Sequence, residues 1–400
     1  MIRLPSPGAR ALDQARDCLA SGQVVLAVQL LQGALALAPG DVGLCVGLGV
    51  AQRMAGQWEA AAASFEQALV SAPDQADAQV YLGMIRLAQG RQREGWPLYQ
   101  ARWLAPGWTD KLRYPAQELW QGTVRPGMRL LLWAEQGFGD SLQFARYAPW
   151  LARQLRGQGA SLALELPAPL CALLRASWPF IDIFATGQGR DHFDAHLPLL
   201  DLPMRWGARV GLGGLPYQPM PSPYLSALPD LWSARRGVLR RPLAGLAAPL
   251  RVGVAWAGRA SNPDDRWRSV RVAALQPLFD LPGICWVSLQ KGASDHPAWL
   301  PADDGADFAD TARRVADLDL VISIDSAVGH LAGAMGRPVW LLLSRLPDWR
   351  WGLSGETSPW YPATRLFRQA DDEAWPAVIT RLATALAARV AMPAGQALHR

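Results

Sequence analysis

Three short segments hold the residues best suited to chemistry. The first, Glu135-Gln136-Gly137-Phe138-Gly139-Asp140, follows an apolar run and combines a glycine turn with a carboxylate. The second, Ser288-Leu289-Gln290-Lys291-Gly292, ends another apolar run and carries Lys291, one of only two lysines in the chain. The third, Asp325-Ser326-Ala327-Val328-Gly329-His330, opens a helix of small residues. A carboxylate at a glycine turn suits a general base that takes a proton from a hydroxyl. A helix start offers N–H groups and a positive dipole end to an anion, and an ammonium nearby suits a phosphate. Together they imply a phosphate-bearing substrate and a transfer reaction.

Each of these assignments has a plain structural competitor. Asp140 is also a favoured helix-capping residue, Lys291 an ordinary exposed lysine, and His330 a packed helical side chain. Arg266, Arg268 and Ser269 form a further basic group whose alternative is a solvated loop with internal ion pairs. Of the chain's 19 tryptophans, five lie between Trp340 and Trp375, where they serve either to stack on a base or sugar or to pack between domains. The glycine turn is not the G-x-G-x-x-G dinucleotide fingerprint, and no H-E-x-x-H, G-x-S-x-G or kinase signature is present.

The elements that must position these residues are legible as apolar runs. Arg129–Ala134, Ser161–Leu166 and Asp182–Ala185 read as strands. After a Gly/Pro-rich stretch at 207–249 the pattern restarts with Val252–Trp256, Trp286–Leu289, Leu320–Ile324, Val339–Leu343 and Arg365–Phe367. These runs are rich in Val, Ile and Leu and alternate little, as strands covered on both faces do. Two such groups imply two Rossmann-like domains, followed by a helix over 374–391. In open α/β sheets, ligands bind where strands give way to loops at their carboxyl ends.

The first hundred residues follow another rule. Gly22, Gly56 and Gly90 recur with a period of 34, and so do Leu31, Phe65 and Tyr99. Small residues at helix crossings and a proline closing each unit predict three helical hairpins, such as Val42–Met54 followed by Trp58–Ser71. The third is degenerate, with Trp96-Pro97 inside its second helix, and is expected to cap the array.

Bulk properties narrow the class. The chain has 400 residues, half of them hydrophobic and 18% charged, which suits a globular, multi-domain protein. A net charge of +5 without a basic run gives no nucleic-acid footprint. The four cysteines (Cys18, Cys45, Cys171, Cys285) show no paired spacing, which fits a reducing compartment and argues against zinc or disulfides. No apolar leader or membrane-length run is present, so a cytoplasmic location is expected, with a peripheral place at the inner membrane left open.

These motifs, with Val254-Ala255-Trp256-Ala257-Gly258 and the block from Pro347-Asp348-Trp349 to Phe367-Arg368-Gln369, resemble a known group. It comprises bacterial tetratricopeptide-repeat proteins whose C-terminal part is similar to the ADP-heptose:lipopolysaccharide heptosyltransferase family (glycosyltransferase family 9). The resemblance implies repeats over 1–106 and a GT-B fold, with an acceptor-side Rossmann-like domain over 107–245 and a donor domain over 246–400. It also implies an inverting, metal-independent glycosyltransferase with a nucleotide-diphosphate sugar as donor substrate and no cofactor. Asp140 then matches the proposed base, in the loop of Gly137 and Gly139. Lys291, Gln290, Arg266, Arg268, Asp325, Ser326, Ala327 and His330 match the donor-binding set. The acceptor would be a surface glycan or a protein, and the repeats would recruit it, bind a protein partner or self-associate. The competing class is a catalytically silent GT-B and repeat adaptor.

Overall fold

The computed structural model describes residues 7–106, 108, 112–189, 192–207, 223–226, 249–259, 262, 265–292, 295–300, 302–303, 305–371 and 373–391. Asp264, most of the 207–249 linker and the expected domain boundaries at 107 and 245–246 lie outside them. The chain divides into two compact units: residues up to Arg113 together with Arg345–Ser354, and a larger unit holding two sheets.

The first unit contains the expected hairpins: α1 (Pro7–Ala20) with α2 (Val24–Leu37), α3 (Val42–Met54) with α4 (Trp58–Ser71), and α5 (Ala76–Ala88) with α6 (Gln92–Tyr99). The period-34 glycines sit in the three hairpin turns with φ of +82°, +75° and +77°, a left-handed conformation that only glycine adopts at no steric cost. Ala27, Ala61 and Phe65 are fully buried between the paired helices. In the degenerate third hairpin Pro97 lies inside α6, which is only eight residues long. Trp349, from the segment Arg345–Ser354, packs edge-on against Trp96 at 5.4 Å and Tyr99 at 5.9 Å. Packing accounts for this tryptophan of the Trp340–Trp375 group.

The second unit holds two five-stranded sheets, all of whose strand pairs are parallel. The first is built from β1 (Glu118–Leu119), β2 (Arg129–Trp133), β3 (Ser161–Leu166), β4 (Asp182–Ala185) and β5 (Ala195–Pro198), in the order β1-β5-β2-β3-β4. β1 and β5 escape a reading of apolar runs: one has two residues, and the other is four residues with a histidine inside and a proline at its end. The second sheet comprises β6 (Leu250–Ala255), β7 (Ile284–Ser288), β8 (Leu320–Ile324), β9 (Val339–Leu343) and β10 (Thr364–Arg368), in the order β10-β9-β8-β6-β7. The fold is therefore helical repeats followed by two Rossmann-like lobes, as expected.

Strand order locates the crevices. In the first sheet β2 lies between β3 and β5, so the chain winds one way from β2 and returns on its other side. In the second, β6 separates β7 from β8 in the same manner. Ligands of open α/β sheets bind at such switch points, outside the carboxyl ends of the strands. The glycine loop leaves the end of β2, Trp256–Gly258 leaves β6, and Asp325-Ser326 leaves β8. Val252, Val254, Trp256, Leu320, Ile322 and Ile324 anchor the last two in a buried core.

Candidate functional site

The glycine loop is held by its own backbone and aspartate. Gln136, just before it, is the only non-glycine residue with positive φ (61°) among the described residues. Such backbone costs of order 1–3 kcal/mol and persists where the surroundings enforce it. Gly137 precedes the helix Phe138–Phe144, and Asp140 in its first turn accepts a 2.7 Å hydrogen bond from the Gly137 N–H. Asp140 is half-buried and does act as a cap, through Oδ2.

The same loop docks against the second lobe at several points. A Cβ on Gly139 would lie 2.7 Å from His330 Cδ2 and 3.6 Å from the Ala327 Cα, so only a residue without a side chain fits there. The Phe138 ring meets Phe308 edge-on at 5.3 Å and lies under the Arg259 guanidinium, also at 5.3 Å. The glycine loop and the start of the His330 helix, one from each sheet's switch point, thus lie against each other.

That helix, Ala327–Ala334, starts after an extended Ser326 whose side chain does not cap it. Ser323 Oγ donates to the Ile324 carbonyl at 2.7 Å, so the 2.9 Å contact between the two serine hydroxyls uses the Ser326 hydrogen. The first N–H groups of the helix are not capped by side chains, an arrangement suited to an anion. Asp325 and Ser326 are half-buried, whereas His330 is buried. His330 Nε2 faces Asp325 Oδ1 at 3.9 Å, and its Nδ1 lies 2.9 Å from the Tyr361 hydroxyl.

The remaining candidates make their contacts within the β6 and β7 loops. Gln290 is buried, and its Oε1 accepts from the Trp256 and Ala257 N–H groups at 2.9 and 2.8 Å. Its Nε2 donates to the Ala257 and Lys291 carbonyls, so the whole amide staples these two loops together. Lys291 is exposed and donates to the Gly305 carbonyl at 2.6 Å. Half-buried Arg268 pairs with Asp265 at 3.2 Å, and Asp265 also accepts from the Ser269 hydroxyl, which in turn accepts from the Gly258 N–H. Exposed Arg266 lies over the Trp267 ring at 4.7 Å.

Two further residues of this neighbourhood were missed by motif spacing. Tyr361 follows Trp360, in the aromatic stretch that the sequence offered either for stacking on a base or sugar or for packing between domains. Arg146 lies just beyond the glycine-loop helix, in the short turn Ala145–Tyr147, and is buried, although arginine is almost never fully buried without a partner. Its rank among ordinary surface arginines in the sequence gave no signal.

The E. coli ADP-heptose lps heptosyltransferase II structure aligns with a TM-score of 0.41 at 17% identity, covering 66% of this chain and 98% of that one. The glycosyl transferase family 9 structure from Veillonella parvula gives 0.43 at 12% identity, covering 67% and 99%. Protein FlbA of Caulobacter vibrioides is 29% identical over 358 residues, which is 83% of this chain and 59% of FlbA. The chain therefore spans less than two thirds of that relative's length. Residues 19–85 match the tetratricopeptide repeat family model, which names the N-terminal helical hairpins.

Proposed function

We propose that the protein is an inverting, metal-independent glycosyltransferase that moves a hexosyl or heptosyl unit from a nucleotide-diphosphate sugar to a hydroxyl acceptor. The observation that carries this reading is the contact of Gly139 with Ala327 and His330, which sets the Asp140 loop against the anion-suited helix start. Asp140 would take the acceptor proton as the hydroxyl attacks the anomeric carbon from the face opposite the leaving group. The departing diphosphate would gain negative charge at the Ser326–Ala327 helix start, beside His330. Preorganised N–H groups are worth most in such a place, and losing one costs roughly 10²–10³ in rate.

Lys291 needs only to leave one carbonyl contact to reach a phosphate, a small cost for an exposed side chain. Arg268 is tied to Asp265, and Arg266 is exposed over the Trp267 ring. Gln290 would contribute by fixing the two loops rather than by touching the donor. Asp325 would orient His330. The acceptor is a surface glycan or a protein, which the repeats recruit. No helix among the described residues is long and apolar enough to cross a membrane.

Titration calorimetry with ADP, UDP, GDP and CDP, followed by mass-spectrometric detection of diphosphate released from sugar nucleotides, tests this reading. Binding of one nucleotide and turnover of its sugar are expected. Absence of binding by all four would favour a silent adaptor. The structural duties of the Asp140 and Gln290 side chains are what speak for that second reading.

A further inference from the structure

Tyr361 belongs to none of the loops assigned to donor or acceptor, yet its hydroxyl reaches His330 Nδ1 at 2.9 Å. Its ring is buried and meets the imidazole edge-on, with centroids 5.7 Å apart. Gly333, one turn beyond His330, makes room for it: a Cβ there would lie 2.6 Å from the ring. The helix that carries the histidine is thus shaped to admit this tyrosine.

The first lobe supports the same ring. The Arg146 guanidinium carbon is 4.8 Å from the Tyr361 centroid, 4.8 Å from that of Tyr224 and 5.4 Å from that of Trp360. Arg146 donates to the Gln143 and Trp360 carbonyls at 2.9 and 3.0 Å, and to the Tyr224 hydroxyl at 3.3 Å. Burial, joined by Tyr224 and opposed by Arg146, holds the Tyr361 phenol well above the ordinary tyrosine range, so it stays a neutral donor.

The Tyr361 hydroxyl and His330 Nδ1 share one hydrogen across 2.9 Å, and the imidazole tautomer decides which of them carries it. On the far side of the imidazole, Nε2 faces the Asp325 carboxylate at 3.9 Å, which favours an N–H there over a lone pair. Nδ1 then keeps its lone pair and accepts from the Tyr361 hydroxyl. Asp325 and Tyr361 face His330, Arg146 stands behind Tyr361, and the glycine loop approaches the other edge of the imidazole at Gly139.

We propose that Tyr361 is a positioning residue: it fixes neutral His330 as the Nε2–H tautomer, aimed beside Asp325 and Gly139, while Arg146 braces the tyrosine from the opposite lobe. In the glycosyltransferase reading, on which only this last consequence rests, the N–H is preset to receive the leaving diphosphate. The donor lobe then has its hydrogen-bond donor oriented only when the acceptor lobe is docked.

The test uses full-length protein labelled with ¹⁵N-histidine, with the His330 signals among the five histidines assigned by their loss in His330→Gln. At pH 8 the wild type is expected to show protonated Nε2 and unprotonated Nδ1. Tyr361→Phe keeps the ring and its packing, and should even out the two tautomers. A wild-type Nδ1–H tautomer, or an unchanged tautomer in Tyr361→Phe, overturns the proposal. The wild-type measurement decides it even if the variant fails to fold. Titrations of both proteins with ADP, UDP, GDP and CDP separate the two levels: Tyr361→Phe should weaken whichever nucleotide binds by about three- to tenfold. If the wild type binds none of the four, the nucleotide reading fails while the tautomer still decides the role of Tyr361.

Discussion

Gly139 and His330 touch between the two lobes, at a separation that leaves no space for even a methyl group on the glycine. One lobe supplies the carboxylate next to this contact, and the other supplies the helix start beneath it.

Gly139→Ala should therefore destabilise the larger unit. Alanine normally gains up to about 1 kcal/mol over glycine inside a helix. Here its Cβ would lie 2.7 Å from a buried imidazole, and overpacking costs about 1–3 kcal/mol. A net loss of about 1–2 kcal/mol is expected in denaturant unfolding. A stabilised variant would mean the lobes separate without cost.

Asp140→Asn distinguishes cap from base. Asparagine can still accept the Gly137 hydrogen bond, so stability should stay within about 0.5 kcal/mol of wild type. Turnover should fall by about 10²–10⁴, with nucleotide affinity nearly unchanged. Wild-type turnover in this variant would assign the base to another group.

Gln290 and Lys291 are neighbours with opposite expected behaviour. Gln290→Ala strips the Trp256 and Ala257 N–H groups of their acceptor and should cost about 2–4 kcal/mol. Lys291→Ala removes an exposed side chain and should change stability by less than about 0.5 kcal/mol while weakening nucleotide binding. Paired unfolding and calorimetric titrations check both; an unaltered nucleotide affinity removes Lys291 from the site.

Mild acid should weaken the first sheet through His196, which is fully buried on β5. Burial lowers its pKa, against a smaller opposing effect from the Tyr114 and Gln117 carbonyls. The unfolded chain then binds a proton that the folded chain refuses. Stability should fall as pH drops below about 6.5 and level off below the folded-state pKa, with a slope of at most about 1.4 kcal/mol per pH unit. Unfolding at pH 7.5 and 5.5 should show a smaller difference in His196→Gln than in wild type; an equal difference assigns the acid sensitivity elsewhere.

Removing residues 1–106 would take Trp96 and Tyr99 from Trp349, which stays in the remaining chain. The truncated protein should bind a hydrophobic dye and aggregate sooner than the full chain, whatever the repeats recruit. If it remains monomeric and dye-free, Trp349 has found other cover.

Local pattern determined much of this molecule. The period of 34 placed left-handed turns at Gly22, Gly56 and Gly90, because a tight turn with positive φ selects glycine at a constant spacing. Runs of Val, Ile and Leu marked eight of the ten strands, since a strand covered on both faces must be apolar throughout. Strand ends followed by Asp140, Lys291 and Asp325 were visible for the same reason. Tertiary structure alone decided which side chains meet. Gln290 became a staple, Trp349 joined the repeat unit, and Arg146 was buried among aromatic rings contributed by residues far away in the chain. His330 acquired Tyr361 as its partner 31 residues later. Such pairings leave no periodic mark, because they depend on where strand order and lobe docking carry each loop rather than on neighbours along the chain.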